Sequence, residues 1–503
     1  MHFYELGSRR LLVFVNGQYW TVFDSLEGTQ IFGATGSGKT TGSGEAIAIA
    51  FLDAGFGGLI LTVKPDERDN WRRYFIKSGR AKEDLIIIDP RGRWEWSGDN
   101  LVLRPGTPLE FNFLDHEFNR LDQQEGYSLP LTLNLVSLFL ATLSTGEATG
   151  TESDPYWRDA LRELLTHVID LVALGTEAEF GTPRLSLGDM AAVVRSAPQT
   201  RDEVQSPTWQ KKSRCYELLR AATAKADDLE KRTPGRLDDL RETVAFFLSD
   251  FPSLAQRTRS IIISSFTSKA AGLLRSPLRR HFCSGTSPEA CPATTHAGKV
   301  ILLNLPVKEF GEVGRFAQVV YKTVWQRATE RRSLVGDWRP VFLWADEAQH
   351  FITSEDMLFQ QTARSRWAAT VYLTQNLPNY HAALGGRNAQ AVTESLLGNL
   401  QTKVFHQNSD PTSNEWGERL FAKATTHRRG TSFGLQQNQG LTTNFQESIE
   451  PVVPAIRFTK LKKGGAPDFK VESIIYCGGR VSSLTGSPLI EHTFNQNFGG
   501  DTA

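Results

Sequence analysis

The sequence lacks long apolar runs and is poor in cysteine. No stretch approaches the roughly 20 apolar residues that a membrane-spanning helix requires, and the N-terminus shows no signal-peptide pattern. The four cysteines among 503 residues have no spacing typical of a disulfide framework, which fits a reducing compartment. We therefore expect a cytoplasmic protein without a membrane segment of its own.

The cysteines leave one alternative open, a zinc site. His281, Cys283, Cys291 and His296 lie close together in the sequence. Their spacing matches none of the standard zinc-binding patterns. We therefore favour the interpretation that they are unrelated loop residues.

An excess of charge of either sign is also absent. Lysine and arginine total 56, as do aspartate and glutamate, so the formal net charge is zero. Gross charge thus does not indicate a nucleic-acid partner, yet it does not exclude one, because a ring-shaped motor can keep its basic residues in a pore. The 40% hydrophobic and 22% charged residues are ordinary for a soluble protein, and the length predicts about two to four domains.

The most informative stretch fits G-x-x-x-x-G-K-[ST], the phosphate-binding P-loop. An apolar run at residues 29–32 predicts a strand before it, and residues 45–52 predict a helix after it. Glycines permit backbone dihedrals that turn successive N–H groups towards phosphate oxygens, helped by the helix N-terminus. The predicted nucleotide-binding residues are Gly33, Ala34, Thr35, Gly36, Ser37, Gly38, Lys39, Thr40 and Thr41.

Two of these side chains have specific predicted roles. Lys39 is expected to reach the β- and γ-phosphates of a nucleotide, and the hydroxyl of Thr40 is expected to hold Mg²⁺. The predicted cofactors are therefore ATP and Mg²⁺.

A second motif has the form of a Walker B strand. Residues 341–345 are apolar, and Asp346 and Glu347 follow them. A buried parallel strand places such acids at the carboxyl edge of the sheet, beside the P-loop. Asp346 is predicted to bind Mg²⁺ directly or through water, and Glu347 to act as general base on the attacking water.

A third feature lies downstream of the Walker B strand. The apolar run at residues 369–374 predicts a strand, and Gln375 at its end is our candidate sensor of the γ-phosphate or the attacking water. Arg364 and Arg366 precede that strand. A guanidinium supplied by a neighbouring subunit stabilises transition-state charge in many such enzymes, and we prefer Arg364 to Arg366 for that role.

The chain is predicted to have an α/β fold of the RecA-like P-loop NTPase type, with a mostly parallel central sheet and an inserted all-helical domain. Helical periodicity dominates the middle of the chain, as at residues 129–143 and 157–174. A polar stretch at 427–447 is predicted to be a mobile loop. The predicted divisions are an N-terminal β-hairpin (1–26), a first motor part (27–121), the helical domain (122–290), a second motor part (291–482) and a disordered tail (483–503).

The order and spacing of these motifs resemble the conjugative coupling proteins of type IV secretion, the TraG/TraD group within the FtsK/HerA-like ring translocases. The resemblance rests on residues 33–40, 111–114, 156–161, 298–306, 346–347 and 364–375. It implies DNA as partner, a homo-oligomeric ring that is hexameric in the family, and an intersubunit arginine finger at Arg364. It also implies a helical domain inserted between the two halves of the motor.

The sequence departs from the family pattern in three places. The turn after the second strand is Val63-Lys64-Pro65-Asp66-Glu67, where the family usually has an Asp-x-Lys-Gly type sequence. Residues 112–114 are Asn-Phe-Leu, where Asn-Pro-Leu is common in the family. The N-terminal membrane helices of many coupling proteins are absent. We therefore expect a soluble DNA translocase from a mobile element, a defence system or a DNA-processing system.

Two other functions fit the same motifs. One is a regulatory or scaffold NTPase that controls a partner effector nuclease, and the other is a motor for protein substrates. The chain has no nuclease motif of its own. Basic clusters at Arg428-Arg429 and at Lys460, Lys462 and Lys463 are candidate DNA contacts, although they would equally serve solubility.

Overall fold

The computed structural model describes most of the chain. It covers residues 3–14, 17–119, 132, 135–137, 155–336, 338–386, 388–432, 442–481, 486 and 488–497. The predicted helix at 129–143 falls largely outside these ranges, and Val15 and Asn16 of the predicted N-terminal hairpin fall outside them.

A nine-stranded sheet forms the centre of the molecule. Its strands are β3 (Thr29–Phe32), β4 (Gly57–Leu61), β5 (Leu85–Ile88), β8 (Val300–Leu303), β9 (Val341–Ala345), β10 (Ala368–Thr374), β11 (Thr402–Phe405), β14 (Lys470–Cys477) and β15 (Leu489–Asn495). The strand order across the sheet is β15-β14-β11-β3-β10-β9-β4-β8-β5. The seven strands from β11 to β5 are mutually parallel, while β14 and β15 add an antiparallel edge.

Three two-stranded pairs complete the β-structure. They are antiparallel and comprise β1 (Arg10–Val13) with β2 (Tyr19–Thr21), β6 (Gly92–Ser97) with β7 (Asn100–Pro105), and β12 (Lys423–Ser432) with β13 (Thr442–Pro451).

Helices cover both faces of the central sheet. Every residue of β3, β4, β8, β9, β10 and β11 is buried, as expected for parallel strands sandwiched between helices. The helices of this part are Phe3–Gly7, Val22–Leu26, Glu45–Asp53, Glu67–Ser78, Val307–Arg331, Ser354–Ala363, Leu377–Leu384, Ala389–Asn399, Pro411–Phe421 and Ala455–Thr459.

A second group of helices lies between β7 and β8 in the sequence. The longest is Pro155–Phe180, whose apolar side packs with the neighbouring helices into a core that is continuous with that of one face of the sheet. The others are Phe113–Phe118, Leu187–Ser196, Arg201–Val204, Pro207–Lys212, Arg214–Ala224, Ala226–Arg232, Arg236–Ala245, Phe251–Ser253, Gln256–Leu273 and Leu278–Cys283. Because β5 and β8 pair directly, the chain leaves the sheet, forms these helices and returns beside the strand it left.

Three predictions about the polar or terminal parts of the chain were wrong. Residues 427–447 were predicted to be a loop, but all of the described ones belong to the β12–β13 hairpin, which pairs from Lys423 with Pro451 to Ser432 with Thr442. Backbone hydrogen bonding between the two strands determines the conformation of this segment, and its glycine- and glutamine-rich composition does not indicate that pairing.

The predicted disordered tail is likewise ordered over much of its described length. Strand β15 pairs with β14 at the sheet edge, and its residues Ile490 and Phe494 are buried. The burial of these two apolar side chains supplies the stabilising contact that the polar composition did not reveal.

The N-terminal hairpin is shorter than predicted. Its second strand ends at Thr21, and the next residues form the helix Val22–Leu26. The Thr21 hydroxyl and the Asp24 carboxylate form a reciprocal capping box, which begins the helix where the sequence pattern predicted more strand.

Within the described residues, no helix has both the length and the apolar character needed to cross a bilayer.

A buried ion pair joins the central sheet to two helices and a loop segment. Lys322 and Asp356 are both fully buried, and their side chains lie 2.5 Å apart. The Asp356 carboxylate also accepts hydrogen bonds from the Tyr372 hydroxyl at 2.9 Å and the Gln326 amide at 2.8 Å, and Lys322 donates to the carbonyl of Phe351 at 2.8 Å. The pair therefore connects two helices, strand β10 and the segment that follows the Walker B acids.

We expect Asp356→Ala to destabilise the protein strongly, because it leaves the Lys322 ammonium buried without its counter-charge. Removal of one partner of a buried pair costs about 3–5 kcal/mol. The matched control is Asp53→Ala, which breaks the exposed Arg9–Asp53 pair and should cost less than about 1 kcal/mol. Urea unfolding midpoints measure both, and equal midpoints for the two variants would contradict the role of the buried pair.

Candidate functional site

The predicted site residues other than the two arginines meet at the carboxyl edge of the parallel strands. The P-loop follows β3, the two Walker B acids follow β9, and Gln375 follows β10. The P-loop, Glu347 and Gln375 border a cavity of about 390 Å³, and Asp346 contacts the Thr40 side chain at its wall. Its lining residues are Thr35, Gly36, Ser37, Gly38, Lys39, Thr40, Thr41, Val63, Lys64, Lys308, Glu347, Gln349, His350 and Gln375.

The P-loop backbone depends on glycine at the positions where it turns. Gly36 and Gly38 have φ angles of 72° and 85°, a region that side chains disfavour. A Cβ atom on Gly38 would lie 2.6 Å from a methyl group of Val471 on strand β14. The loop thus packs against the antiparallel edge of the sheet, and its shape leaves room for no side chain at that point.

A buried histidine supports the turn that follows the loop. The Nε2 atom of His406 lies 2.7 Å from the hydroxyl of Ser43, and its Nδ1 atom lies 3.1 Å from the carbonyl of Glu472. Burial lowers the pKa of His406 to about 4, so the ring is neutral at pH 7. Since a carbonyl only accepts, Nδ1 carries the proton and Nε2 accepts from Ser43.

The predicted magnesium ligands are adjacent. The Thr40 hydroxyl donates to the Asp346 carboxylate across 2.8 Å. Burial raises the pKa of Asp346, and nearby Lys39 opposes that rise. Two hard oxygen donors side by side, at a cavity that opens onto the P-loop, match the donor preference of Mg²⁺. These two residues would hold the ion.

The Walker B glutamate is held by three donors. Its Oε1 atom lies 3.4 Å from the ammonium of Lys39 and 3.3 Å from the amide nitrogen of Gln375, and its Oε2 atom lies 2.9 Å from the amide nitrogen of Gln349. Burial of Glu347 opposes its ionisation, but Lys39 and the two amides outweigh that effect and lower its pKa. The residue is therefore an ionised carboxylate at neutral pH.

Neither arginine candidate lies near this cavity. Arg364 and Arg366 occupy the short helical turn that precedes β10, at the amino edge of the sheet. The seven residues of β10 separate that edge from Gln375, a span of about 23 Å at roughly 3.3 Å per residue. The Arg364 side chain is 65% exposed and pairs with Glu27 at 3.0 Å. Arg364 is therefore too far from this cavity to act on it within the same chain.

The sequence reasoning missed several residues around the cavity. Lys64 follows β4, Lys308 begins a helix after β8, and Gln349 and His350 follow the Walker B acids. Their common signal is their position just after parallel strands, where the carboxyl edge places them together.

The turn at residues 63–67, whose role the sequence left open, also contributes to this site. The Glu67 carboxylate accepts hydrogen bonds from the backbone N–H groups of Val63 and Lys64, which fixes the turn at the cavity wall. Burial, followed by repulsion from Asp346, raises the pKa of Glu67 well above its ordinary value.

The residues of the alternative zinc site do not form a cluster. The His296 ring lies 3.2 Å from the Thr329 hydroxyl, and the Cys291 thiol lies 3.8 Å from the Ser287 carbonyl. Among the described residues, no three histidine, cysteine or acidic side chains converge as a metal site would require.

The candidate basic clusters are only partly described. Lys460, Lys462 and Lys463 are exposed. Arg428 and Arg429 lie on β12, where pairing with β13 is defined but the side chains fall outside the described set.

Comparison with known proteins identifies the fold through structure and not through sequence. No protein-family model matches the chain, and no curated protein sequence matches it significantly. Solved structures of a bacterial conjugative coupling protein, TrwB, do match over nearly the whole length. The unbound form has a TM-score of 0.60 at 15% identity, covering 99% of this chain and 92% of the other.

Two nucleotide complexes of the same coupling protein match equally well. The complex with ADP and Mg²⁺ has a TM-score of 0.60 and that with the non-hydrolysable GTP analogue GDPNP a TM-score of 0.59, each at 15% identity. They cover 100% and 99% of this chain, respectively, and 94% of each matched chain. The predicted fold class is confirmed: a RecA-like P-loop NTPase fold with a mostly parallel central sheet and a helical domain.

Proposed function

We propose that the protein is an ATPase that binds ATP with Mg²⁺. The observation that carries this proposal is the convergence of five side chains at one sheet edge: Lys39, Thr40, Glu347 and Gln375 line the cavity, and Asp346 accepts a hydrogen bond from Thr40. These residues follow three different strands. A chance match to one sequence motif would not bring all of them together at one site.

Each of these side chains has a role that its position supports. Lys39 binds the β- and γ-phosphates, and Thr40 and Asp346 hold Mg²⁺, which neutralises phosphate charge. Glu347 accepts a proton from water as the water oxygen bonds to the γ-phosphorus and the bond to the β-phosphate oxygen breaks. Gln375 contacts the γ-phosphate or that water.

We further propose that ATP turnover moves DNA through a homo-oligomeric ring, taken as hexameric from the family resemblance. The support is the full-length structural similarity to a conjugative coupling protein, together with the exposed position of Arg364 away from its own cavity. A cytoplasmic location agrees with four unpaired cysteines. The biological setting we favour is a mobile-element or defence system.

The proposed organisation follows the sequence divisions with one change. Residues 1–26 form the entry segment, 27–121 and 291–482 the two motor parts, and 122–290 the helical domain. Strand β15 joins the second motor part, because it pairs within the central sheet.

Substitutions at the cavity separate binding from chemistry. Lys39→Ala should abolish ATP binding or turnover, because it removes the cation expected at the β- and γ-phosphates. Glu347→Gln should bind ATP but not hydrolyse it, since an amide is a poor proton acceptor. Titration calorimetry measures binding and phosphate release measures turnover, with the exposed Lys225→Ala as control. Wild-type turnover in Glu347→Gln would remove Glu347 as the base.

DNA-stimulated turnover is the test of the motor function. We expect hydrolysis to rise with added DNA, and DNA affinity to fall steeply with salt and to depend little on sequence, because phosphate contacts release counterions. If turnover ignores both single- and double-stranded DNA and no binding occurs at low salt, the motor proposal fails. The regulatory NTPase with a partner nuclease, or a motor for protein substrates, would then take its place.

Complementation between subunits tests Arg364. We expect Arg364→Ala to bind ATP but lose turnover by about 10³-fold, because the transition state lacks its cation. Lys39→Ala subunits keep Arg364, and Arg364→Ala subunits keep Lys39, so mixed rings should regain some activity at junctions that contain both.

Mass photometry establishes that mixed rings form, and Arg366→Ala serves as the matched comparison. Inactive mixed rings would exclude Arg364 as a finger in trans. Full activity of isolated monomers would exclude both arginines.

A further inference from the structure

We infer that Gln349 is a positioning residue that orients the Glu347 carboxylate for proton transfer and is itself fixed by Thr374. This inference rests on the proposed ATPase function and on Glu347 as the base. Neither Gln349 nor Thr374 belongs to the nucleotide-binding motifs.

The contacts form a chain from strand β10 to the base. The Thr374 hydroxyl lies 2.8 Å from the side-chain oxygen of Gln349, and the amide nitrogen of Gln349 lies 2.9 Å from Oε2 of Glu347. A carboxylate can only accept, so the amide must present its NH₂ group to Glu347. The amide oxygen then faces Thr374, whose hydroxyl donates to it.

The anchor of this chain is rigid. Thr374 is fully buried, as is every residue of β10. A β-branched side chain in a buried strand has little rotational freedom. The orientation of the Gln349 amide is therefore determined by the sheet, and not by the short helical turn Ala348–His350 on which Gln349 lies.

The base itself needs such support. Glu347 adopts φ 55° and ψ 53°, the left-handed region that non-glycine residues seldom occupy. Residues in this conformation persist where surrounding contacts hold them. Gln349 engages Oε2, whereas Lys39 and Gln375 engage Oε1, so the two carboxylate oxygens have separate partners.

The three donors differ in what they do when a nucleotide binds. Lys39 and Gln375 have phosphate or water as alternative partners in the proposed mechanism. Gln349 is tied to Thr374 and keeps its bond to Oε2. It therefore maintains the carboxylate orientation during turnover, after the other two donors have left.

The test combines Gln349→Leu with Thr374→Val, two substitutions that approximate the shape of the side chain and remove its hydrogen bonds. We expect kcat to fall about tenfold or more in Gln349→Leu, because a hydrogen bond to a charged group is lost, while ATP affinity stays within about twofold. Thr374→Val should lower kcat by a smaller factor. Thr374→Ser, which keeps the hydroxyl group, should have the wild-type kcat. The double variant should be no worse than Gln349→Leu alone.

A split between kcat and ATP binding supplies a readout that a purely structural role would not give. A residue that only supports the fold would change ATP affinity and thermal stability together with kcat, whereas loss of the Gln349 bond to Oε2 of Glu347 should lower kcat alone. The control is Gln361→Leu, the same substitution at an exposed position, which should leave kcat unchanged.

The outcomes separate this inference from the proposed function. If wild-type protein hydrolyses ATP and Glu347→Gln does not, but Gln349→Leu keeps the wild-type kcat, Gln349 is not a positioning residue and the ATPase proposal stands. A loss of ATP binding or a large fall in thermal stability in both Gln349→Leu and Thr374→Val would show a structural role and overturn the inference. An inactive wild-type protein would overturn both.

Discussion

The site depends on a buried pair of opposite charges. Lys39 is 7% exposed and Glu347 is 5% exposed, and either charge alone at such depth would carry a large desolvation cost. Their contact at 3.4 Å places each group beside a partner of opposite charge at the sheet edge. The P-loop and the Walker B strand, which are more than 300 residues apart in the sequence, are therefore joined by the charges that the proposed chemistry uses.

A second buried pair connects this site to the rest of the motor. The Asp356 carboxylate binds Lys322 and accepts from Tyr372, which lies two residues before Thr374 on strand β10. Lys322 also holds the carbonyl of Phe351, four residues after Glu347. The end of β10 and the segment after the Walker B acids are thus fixed to the same helices. A movement of those helices would displace both Gln375 and Glu347, so the cavity and the helices are mechanically connected.

The fold and the centre of the site were predictable because both follow from strong local patterns. Buried apolar strands alternate with helices, and Gly36, Gly38 and Lys39 occupy positions that a phosphate-binding turn demands. Strand β15 and the β12–β13 hairpin were not predictable, because each forms by backbone pairing with the neighbouring strand in the sequence and the polar composition of these segments gives no sign of that pairing. Gln349 was missed for a related reason: its role depends on Thr374, a neighbour only in space.

The arrangement of donors around Glu347 makes its basicity depend on the ligand. In the structure Lys39, Gln349 and Gln375 all stabilise the ionised carboxylate, and an anion so well stabilised is a weak base. Under the proposed mechanism, bound phosphate attracts Lys39 and Gln375, so Glu347 loses two of its three donors and its affinity for a proton rises. Glu347 would then become a stronger base only when substrate is present, while the Gln349 bond keeps the carboxylate in its orientation. The low pKa of the ligand-free carboxylate and its proposed catalytic role are therefore compatible, since they belong to different states of the same cavity.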